Sequence, residues 1–150
     1  MNTKSNGKSR FNYSIDNPVF TMGSTVAGGL SNSAYADFAT VGGGHLSLAD
    51  GQYSTVSGGD NNGAVNLSST VGGGANNYAA GRYATVPGGY GDNATGSYSF
   101  AAGKQAYAPY PGDFVWSDSG GIGESTLISD LAQNIVGAVS VNKDFARNLL

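Results

Sequence analysis

The sequence predicts an all-β protein, a parallel β-helix or β-roll built from stacked coils of fifteen residues. Three observations predict this fold: a strict fifteen-residue repeat, a Gly-Gly pair in every repeat, and columns of small apolar residues at fixed repeat positions. A short period without insertions indicates a stack of identical turns, because stacking requires the same spacing at every step.

The repeat begins with Thr-Val-x-Gly-Gly, and the threonine is repeat position 1. The threonines are Thr25, Thr40, Thr55, Thr70 and Thr85. Valine fills position 2 and alanine fills position 10, which gives a candidate core column of Val26, Val41, Val56, Val71, Val86, Ala34, Ala49, Ala64, Ala79 and Ala94. A sixth unit begins at Phe100 and then departs from the pattern.

A helical repeat is excluded by the glycines, since each glycine in a helix interior costs about 1 kcal/mol relative to alanine. Fifteen residues suit two short strands joined by tight turns. The Gly-Gly pair is expected to supply positive φ at one corner, and the residues at positions 7 and 8, such as Asn61-Asn62 and Asn76-Asn77, are expected to form the other.

Strand alternation then assigns the faces of each coil. Positions 15, 2 and 4 carry Ala or Ser, Val and Gly and are expected to face inward, whereas positions 14 and 1 carry an aromatic residue and Thr and are expected to face outward. The enclosed core is thin. Burial of a valine side chain contributes about 1.5–3 kcal/mol while ordering each residue costs about 1–2 kcal/mol. We therefore expect an obligate oligomer.

Charge and composition argue against several functional classes. The formal net charge is −3 with seven basic residues, so we expect no nucleic-acid partner. The chain has no cysteine, which excludes disulfides and thiol chemistry. Residues 1–20 contain no apolar segment of the length that a secretory signal needs, and no apolar run approaches a membrane span. We expect a protein assembled in the cytosol, without membrane insertion.

Three segments are predicted. Residues 1–20 form a polar attachment arm, residues 21–108 form the β-roll, and residues 109–150 form a cap and C-terminal segment. The candidate attachment residues are Lys4, Lys8, Arg10, Phe11 and Tyr13, and the candidate cap residues are Phe114 and Trp116. Beyond these, Ser125 could begin a helix through Leu127, Ile128, Leu131 and Ile135, or the tail could contain a strand.

Residues with catalytic potential are sparse. His45, the single histidine, lies at variable position 6 and is interpreted as an exposed turn residue. The acidic residues Asp37, Asp50, Asp60 and Asp92 occupy four different repeat positions, so no glycosidase-type carboxylate pair is inferred. No metal site and no cofactor are expected. The calcium-binding nonapeptide pattern is not matched, and the glycine pairs lack the Lys-Ser/Thr of phosphate loops.

One column has binding potential. Four aromatic residues at position 14 are expected to stack at about 4.7–4.9 Å per coil, an apolar stripe that soluble monomers do not normally expose. We call it the aromatic stripe; it consists of Phe38, Tyr53, Tyr83 and Tyr98. Three interpretations are open: an interface between subunits, a platform for a carbohydrate or other surface ligand, or incidental exposure.

The repeats resemble the head region of trimeric autotransporter adhesins, the YadA-like heads. The resemblance is carried by the segments from Ala79 to Gly89 and from Ala94 to Gly103, and by Gly112-Asp113-Phe114-Val115-Trp116 with the residues that follow. It implies a left-handed parallel β-roll and a homotrimer of intertwined or side-by-side chains. The fifteen-residue period departs from the shorter repeat typical of the bacterial heads.

The resemblance implies two functions, because such heads serve adhesion in bacterial surface proteins and also occur in phage fibres. We favour a non-enzymatic phage structural protein, a short fibre or capsid decoration in the virion that binds capsid or tail proteins through its arm and contacts host surface glycan. The alternatives are the adhesive head of a bacterial surface protein and a carbohydrate-active virion enzyme.

Overall fold

The structure is a computed structural model that describes residues 17–19 and 21–117 and the backbone of residues 125–129. This part of the chain contains strands and turns and no helix. The strands are β1 (Thr25–Val26), β2 (Ser33–Ala34), β3 (Thr40–Val41), β4 (Leu48–Ala49), β5 (Thr55–Val56), β6 (Gly63–Ala64), β7 (Thr70–Val71), β8 (Tyr78–Ala79), β9 (Thr85–Val86), β10 (Gly89–Tyr90), β11 (Asn93–Ala94), β12 (Phe100–Lys104), β13 (Tyr107–Ala108), β14 (Asp113–Ser117) and β15 (Ser125–Ser129).

The strands form two sheets that wind about six times around a common core, and all their pairings are parallel except that of β14 with β15. The first sheet has the order β1-β3-β5-β7-β9-β12-β14-β15, with β10 beside β12, and the second has the order β2-β4-β6-β8-β11-β13. Identical repeat positions pair along both sheets, as in Thr25 with Thr40 and Ala34 with Ala49. The predicted all-β parallel solenoid with fifteen-residue coils is confirmed.

A third line of pairing runs through repeat position 6. Isolated parallel bridges join Leu30, His45, Asp60, Ala75 and Tyr90 in succession. Backbone hydrogen bonds therefore connect neighbouring coils on three sides, which leaves each coil little freedom to shift relative to the next.

The core consists of small side chains. All ten residues of the candidate core column lie inside the solenoid with at most 2% of their surface exposed. Position 15, which carries Ala39 or Ser54 among others, is buried as well. Valine is the largest of the fully buried apolar side chains among the described residues. The thin core that the repeat predicts is thus present, with polar side chains filling part of it.

The second glycine of each pair is required by the close approach of neighbouring coils. Gly59 has φ +93°, and a β-carbon there would overlap the carbonyl oxygen of Gly74 in the next coil. At the preceding Gly58, a β-carbon would meet no atom within 4 Å. The two glycines of the motif therefore have different roles, and the second one sets the coil spacing.

Stacking continues past residue 108 through a shortened coil. Phe100 pairs with Thr85, fifteen residues earlier, whereas Gly103 pairs with Gly89, fourteen residues earlier. From this point the fourteen-residue offset persists, since Phe114 pairs with Phe100. The sixth unit therefore departs from the repeat because it lacks one residue between positions 1 and 5. The first sheet nevertheless continues into β14.

The prediction of a helix beginning at Ser125 is wrong for its first residues. Ser125–Ser129 is strand β15, which pairs antiparallel with β14 and places Thr126 opposite Trp116. The edge of β14 offers unpaired backbone donors and acceptors, and the antiparallel strand satisfies them and ends the parallel stack. The remainder of the predicted helix, with Leu131 and Ile135, lies outside the described residues, as does the strand alternative.

Candidate functional site

The aromatic stripe lies at a corner of the solenoid, immediately before the first sheet. Phe38, Tyr53, Tyr83 and Tyr98 have φ between 59° and 61°, a left-handed conformation that is uncommon outside glycine and asparagine. Each backbone N–H donates to a carbonyl of the preceding coil, for example Tyr98 to Arg82 at 2.8 Å. The side chains of these residues point outward as expected, but position 14 belongs to a turn and not to a strand. Strand alternation does not explain its direction.

The rings of the stripe stack in two pairs. Phe38 and Tyr53 have ring centroids 5.2 Å apart with planes 3° from parallel, and Tyr83 and Tyr98 are 5.1 Å apart with an angle of 8°. The rings lie across the coil axis and cover one another's faces. The stripe therefore presents ring edges to the outside, with 42% to 68% of each residue's surface exposed, and stacked faces are not available as a flat platform.

Ser68 separates the two pairs. It occupies the same left-handed position as the aromatic residues, with φ +52°, and its N–H donates to the carbonyl of Gln52 at 2.8 Å. The backbone corner is thus unbroken while the column of rings lacks one member. Beside this gap, the guanidinium carbon of Arg82 lies over the Tyr83 ring, 5.9 Å from its centroid, a weak cation–π contact.

The candidate cap residues lie on β14. Phe114 is 40% exposed and Trp116 is 55% exposed, while the alternating residues Asp113, Val115 and Ser117 are buried. Phe114 stacks on Phe100, with centroids 4.6 Å apart. Both side chains therefore point away from the core, on the same side of the sheet as the threonine column, and β15 pairs with the far edge of β14.

His45 has a partner that the sequence interpretation missed. Its Nδ1 lies 2.7 Å from Oδ1 of Asp60, and their side chains are 48% and 59% exposed. This is the sole contact between oppositely chargeable side chains found among the described residues, and it is an ion pair only when His45 is protonated. The signal was present in the sequence, because both residues occupy repeat position 6 in successive coils and a parallel solenoid places such residues side by side. High exposure makes the pair weak.

A second missed feature is a column of buried polar residues at repeat position 8. Position 7 forms the expected corner, with left-handed φ at Asn61 and Asn76, and the residues of position 8 beside it are buried inside the solenoid; they are Asn17, Asn32, Ser47, Asn62, Asn77 and Asp92. Asn62 donates through Nδ2 to the carbonyls of Gly58 and Gly74, both at 2.9 Å. We call this set the asparagine column. The recurrence of Asn at this position indicated a shared role, but turn propensity does not show whether the side chain is buried.

Asp92 ends the asparagine column with a carboxyl group. Its Oδ1 accepts a hydrogen bond from the N–H of Ala106 at 2.7 Å, while the buried Oδ2 has no hydrogen-bond partner. Burial raises the pKa of Asp92 above its ordinary value of 3.8, against the opposing effect of the Ala106 N–H. The carboxyl group therefore favours the protonated form more strongly than a free aspartate does.

The candidate attachment residues Lys4, Lys8, Arg10, Phe11 and Tyr13 lie outside the described residues. Within residues 17–19, 21–117 and 125–129, no cluster of three metal-binding side chains is found. The same part of the chain holds no helix long and apolar enough to cross a membrane. In comparisons with known proteins, no protein-family model matches this chain, and no curated protein matches its sequence.

Proposed function

We propose that this protein is a non-enzymatic structural protein of a bacteriophage virion, a short trimeric fibre or capsid decoration attached through residues 1–20. The observation that carries the proposal is the solenoid itself. Backbone hydrogen bonds join its coils on three sides, and valine is the largest apolar side chain that its described core fully buries. Such a stack is a stiff elongated body, suited to spacing and presentation.

Association of three chains is supported by the distribution of apolar side chains. Fourteen large apolar residues among those described are at least 40% exposed, including Tyr35, Tyr78 and Tyr107 on the side of the second sheet. Exposed aromatic residues in such number are typical of interaction surfaces. A trimer would bury part of this surface and add to the small stabilisation that valine and alanine provide. The resemblance to YadA-like heads favours three chains and a left-handed roll.

The non-enzymatic assignment rests on what the candidate residues can do. His45 and Asp60 form an exposed pair, and neither is held in a recess where water is excluded. Asp92 is buried in the column that joins the coils, where it contacts backbone groups. Regular coils thus use their polar side chains for stacking.

The second candidate function, an adhesive head on a bacterial surface, is favoured by the exposed aromatic stripe.

Two measurements test the proposal, and a third tests the absence of activity. Sedimentation equilibrium or light scattering at micromolar concentration should give three times the chain mass, and a folded monomer would exclude the trimer. Imaging of labelled protein on intact particles should place it on a capsid or tail, whereas labelling of the bacterial cell surface would favour the adhesin. Incubation with host glycan should release no sugar; released sugar would identify an enzyme.

A further inference from the structure

The aromatic stripe contains a gap that is one ring wide. Tyr53 stacks on Phe38 through one face, and Tyr83 stacks on Tyr98 through one face. The opposite faces of Tyr53 and Tyr83 point toward Ser68. No aromatic ring covers either face within the described part of the chain, and the Arg82 guanidinium lies over that of Tyr83, 5.9 Å from the ring centroid. Two coil spacings separate these faces, a distance of roughly 10 Å.

This distance fits one inserted ring. A planar or chair-shaped ring midway between Tyr53 and Tyr83 would lie about 5 Å from each, within the range preferred for stacked rings. The stripe itself uses the same spacing, 5.2 Å and 5.1 Å in its two pairs. Ser68 has a short polar side chain and is partly exposed, so an occupant can enter from the outside. The gap is a slot with two aromatic walls, and the Arg82 guanidinium must move off the Tyr83 face before a ring can enter.

Polar groups line the rim of the slot. Arg82 and Gln52 precede the two tyrosines at repeat position 13, and both are exposed. Because Tyr98 covers one face of Tyr83, the Arg82 guanidinium that lies over this ring is on the slot side. No acidic side chain pairs with Arg82 among the described residues. The contact with Tyr83 is weak, so the guanidinium can leave it and form a bidentate pair with a carboxylate at the rim of the slot.

We propose that this slot binds one pyranose ring of an acidic glycan, with the sugar between Tyr53 and Tyr83 and its carboxylate on Arg82. A pyranose has apolar C–H faces for the two tyrosines and a hydroxylated edge for Gln52. An inserted nucleobase is disfavoured by the net charge of −3 and the scarcity of basic residues. The acidic glycan would be the host-surface ligand of the proposed function. The biological meaning of this binding rests on that function, but the binding itself does not.

The test uses the full chain in its native assembly and a variant that closes the slot. Ser68→Tyr restores the missing ring at a position where tyrosine already adopts the same φ in other coils, so it should fold and stack with both neighbours. Ser68→Ala keeps the slot open and is the matched control. Arg82→Gln removes the charge while leaving the walls intact.

The probes are the acidic sugars glucuronate, galacturonate and N-acetylneuraminate, and methyl glucoside is the neutral control. Binding is measured by saturation-transfer NMR and by changes in the ring signals of Tyr53 and Tyr83. At least one acidic sugar should bind to the wild type and to Ser68→Ala. Ser68→Tyr should weaken this binding about tenfold or more, the factor expected when both stacking contacts are lost. Arg82→Gln should weaken acidic sugars about fivefold or more and leave methyl glucoside unchanged.

Three outcomes would overturn the proposal. They are the failure of all three acidic sugars to bind, equal binding by Ser68→Tyr, and a change in oligomeric mass on Ser68→Tyr, which would make the gap part of a subunit interface. Each is distinct from failure of the virion assignment, because binding is measured on the isolated protein and the virion assignment on particles.

Discussion

The side-chain oxygen of Asn62 accepts a hydrogen bond of 3.0 Å from the backbone N–H of Asn77, fifteen residues later in the next coil. Asn77 repeats the arrangement with Asp92 at 2.9 Å. These contacts connect successive coils through the interior, where apolar side chains provide little volume. The asparagine column is therefore a main determinant of coil stacking, and it can be tested by substitution.

Asn62→Ala should destabilise the solenoid by about 2–4 kcal/mol, because it removes two donated bonds and one accepted bond and leaves the buried N–H of Asn77 without its acceptor. Chemical denaturation monitored by circular dichroism measures the free energy of unfolding. The control is the exposed Asn61→Ala, which removes a surface bond to Asn76 and, at φ +53°, adds a backbone cost of about 1 kcal/mol. Equal effects from the two variants would show that burial of the amide is unimportant.

Ser47→Asn should stabilise the protein by about 1 kcal/mol. Ser47 is the one serine in the asparagine column, and its hydroxyl makes a long 3.4 Å contact with the carbonyl of His45. An asparagine could donate to the carbonyls of Gly43 and Gly59, as Asn62 does one coil later with its own neighbours. The melting temperature should rise when wild type and variant are compared at equal protein concentration. A fall would mean that the second coil has no room for the amide.

Asp92→Asn should raise stability at neutral pH and change its pH dependence. Burial raises the folded-state pKa of Asp92, so the unfolded chain loses this proton at lower pH than the folded protein does. The wild type is therefore fully stabilised below pH 3.8 and loses stability as pH rises through the folded-state pKa. The difference between variant and wild type in thermal unfolding should be largest at neutral pH and smallest in acid. A difference that does not vary with pH would contradict the account.

Gly59→Ala should prevent normal stacking and cost several kcal/mol, whereas Gly58→Ala should change stability by less than about 1 kcal/mol. The β-carbon at Gly59 would overlap the carbonyl of Gly74 and the amide of Asn62, and φ there is +93°. Gly58 meets neither condition. Urea unfolding of both variants checks this contrast, and similar losses at the two neighbouring glycines would refute the assigned roles.

His45→Ala, Asp60→Ala and the double variant should give a coupling energy of at most about 1 kcal/mol, as measured for exposed ion pairs. The side chains are 48% and 59% exposed, so water screens the 2.7 Å contact. Added salt should reduce the coupling further. A coupling well above this value would indicate that the pair is covered in the assembled protein.

Much of the fold could be predicted from local sequence, and the candidate site could be predicted in part. The spacing of Val41 and Val56 gives the coil period, and alternation places them inside. The same spacing identifies the aromatic stripe. Its ring orientation could not be predicted, because the left-handed backbone at Tyr53 lies outside any strand. Local rules place Asn62 near a corner but do not decide whether its amide faces water or the core, since the turn propensity of asparagine is the same in both cases.

The sequence by itself determined the period, the parallel stacking and the small core, because these follow from residue spacing and side-chain volume. Only the tertiary structure decided which contacts arise between coils: Asn62 with Asn77, His45 with Asp60, and the open place at Ser68 between two stacked pairs. Each joins residues about fifteen positions apart. Their geometry depends on how one coil turns relative to the next, which no single repeat contains.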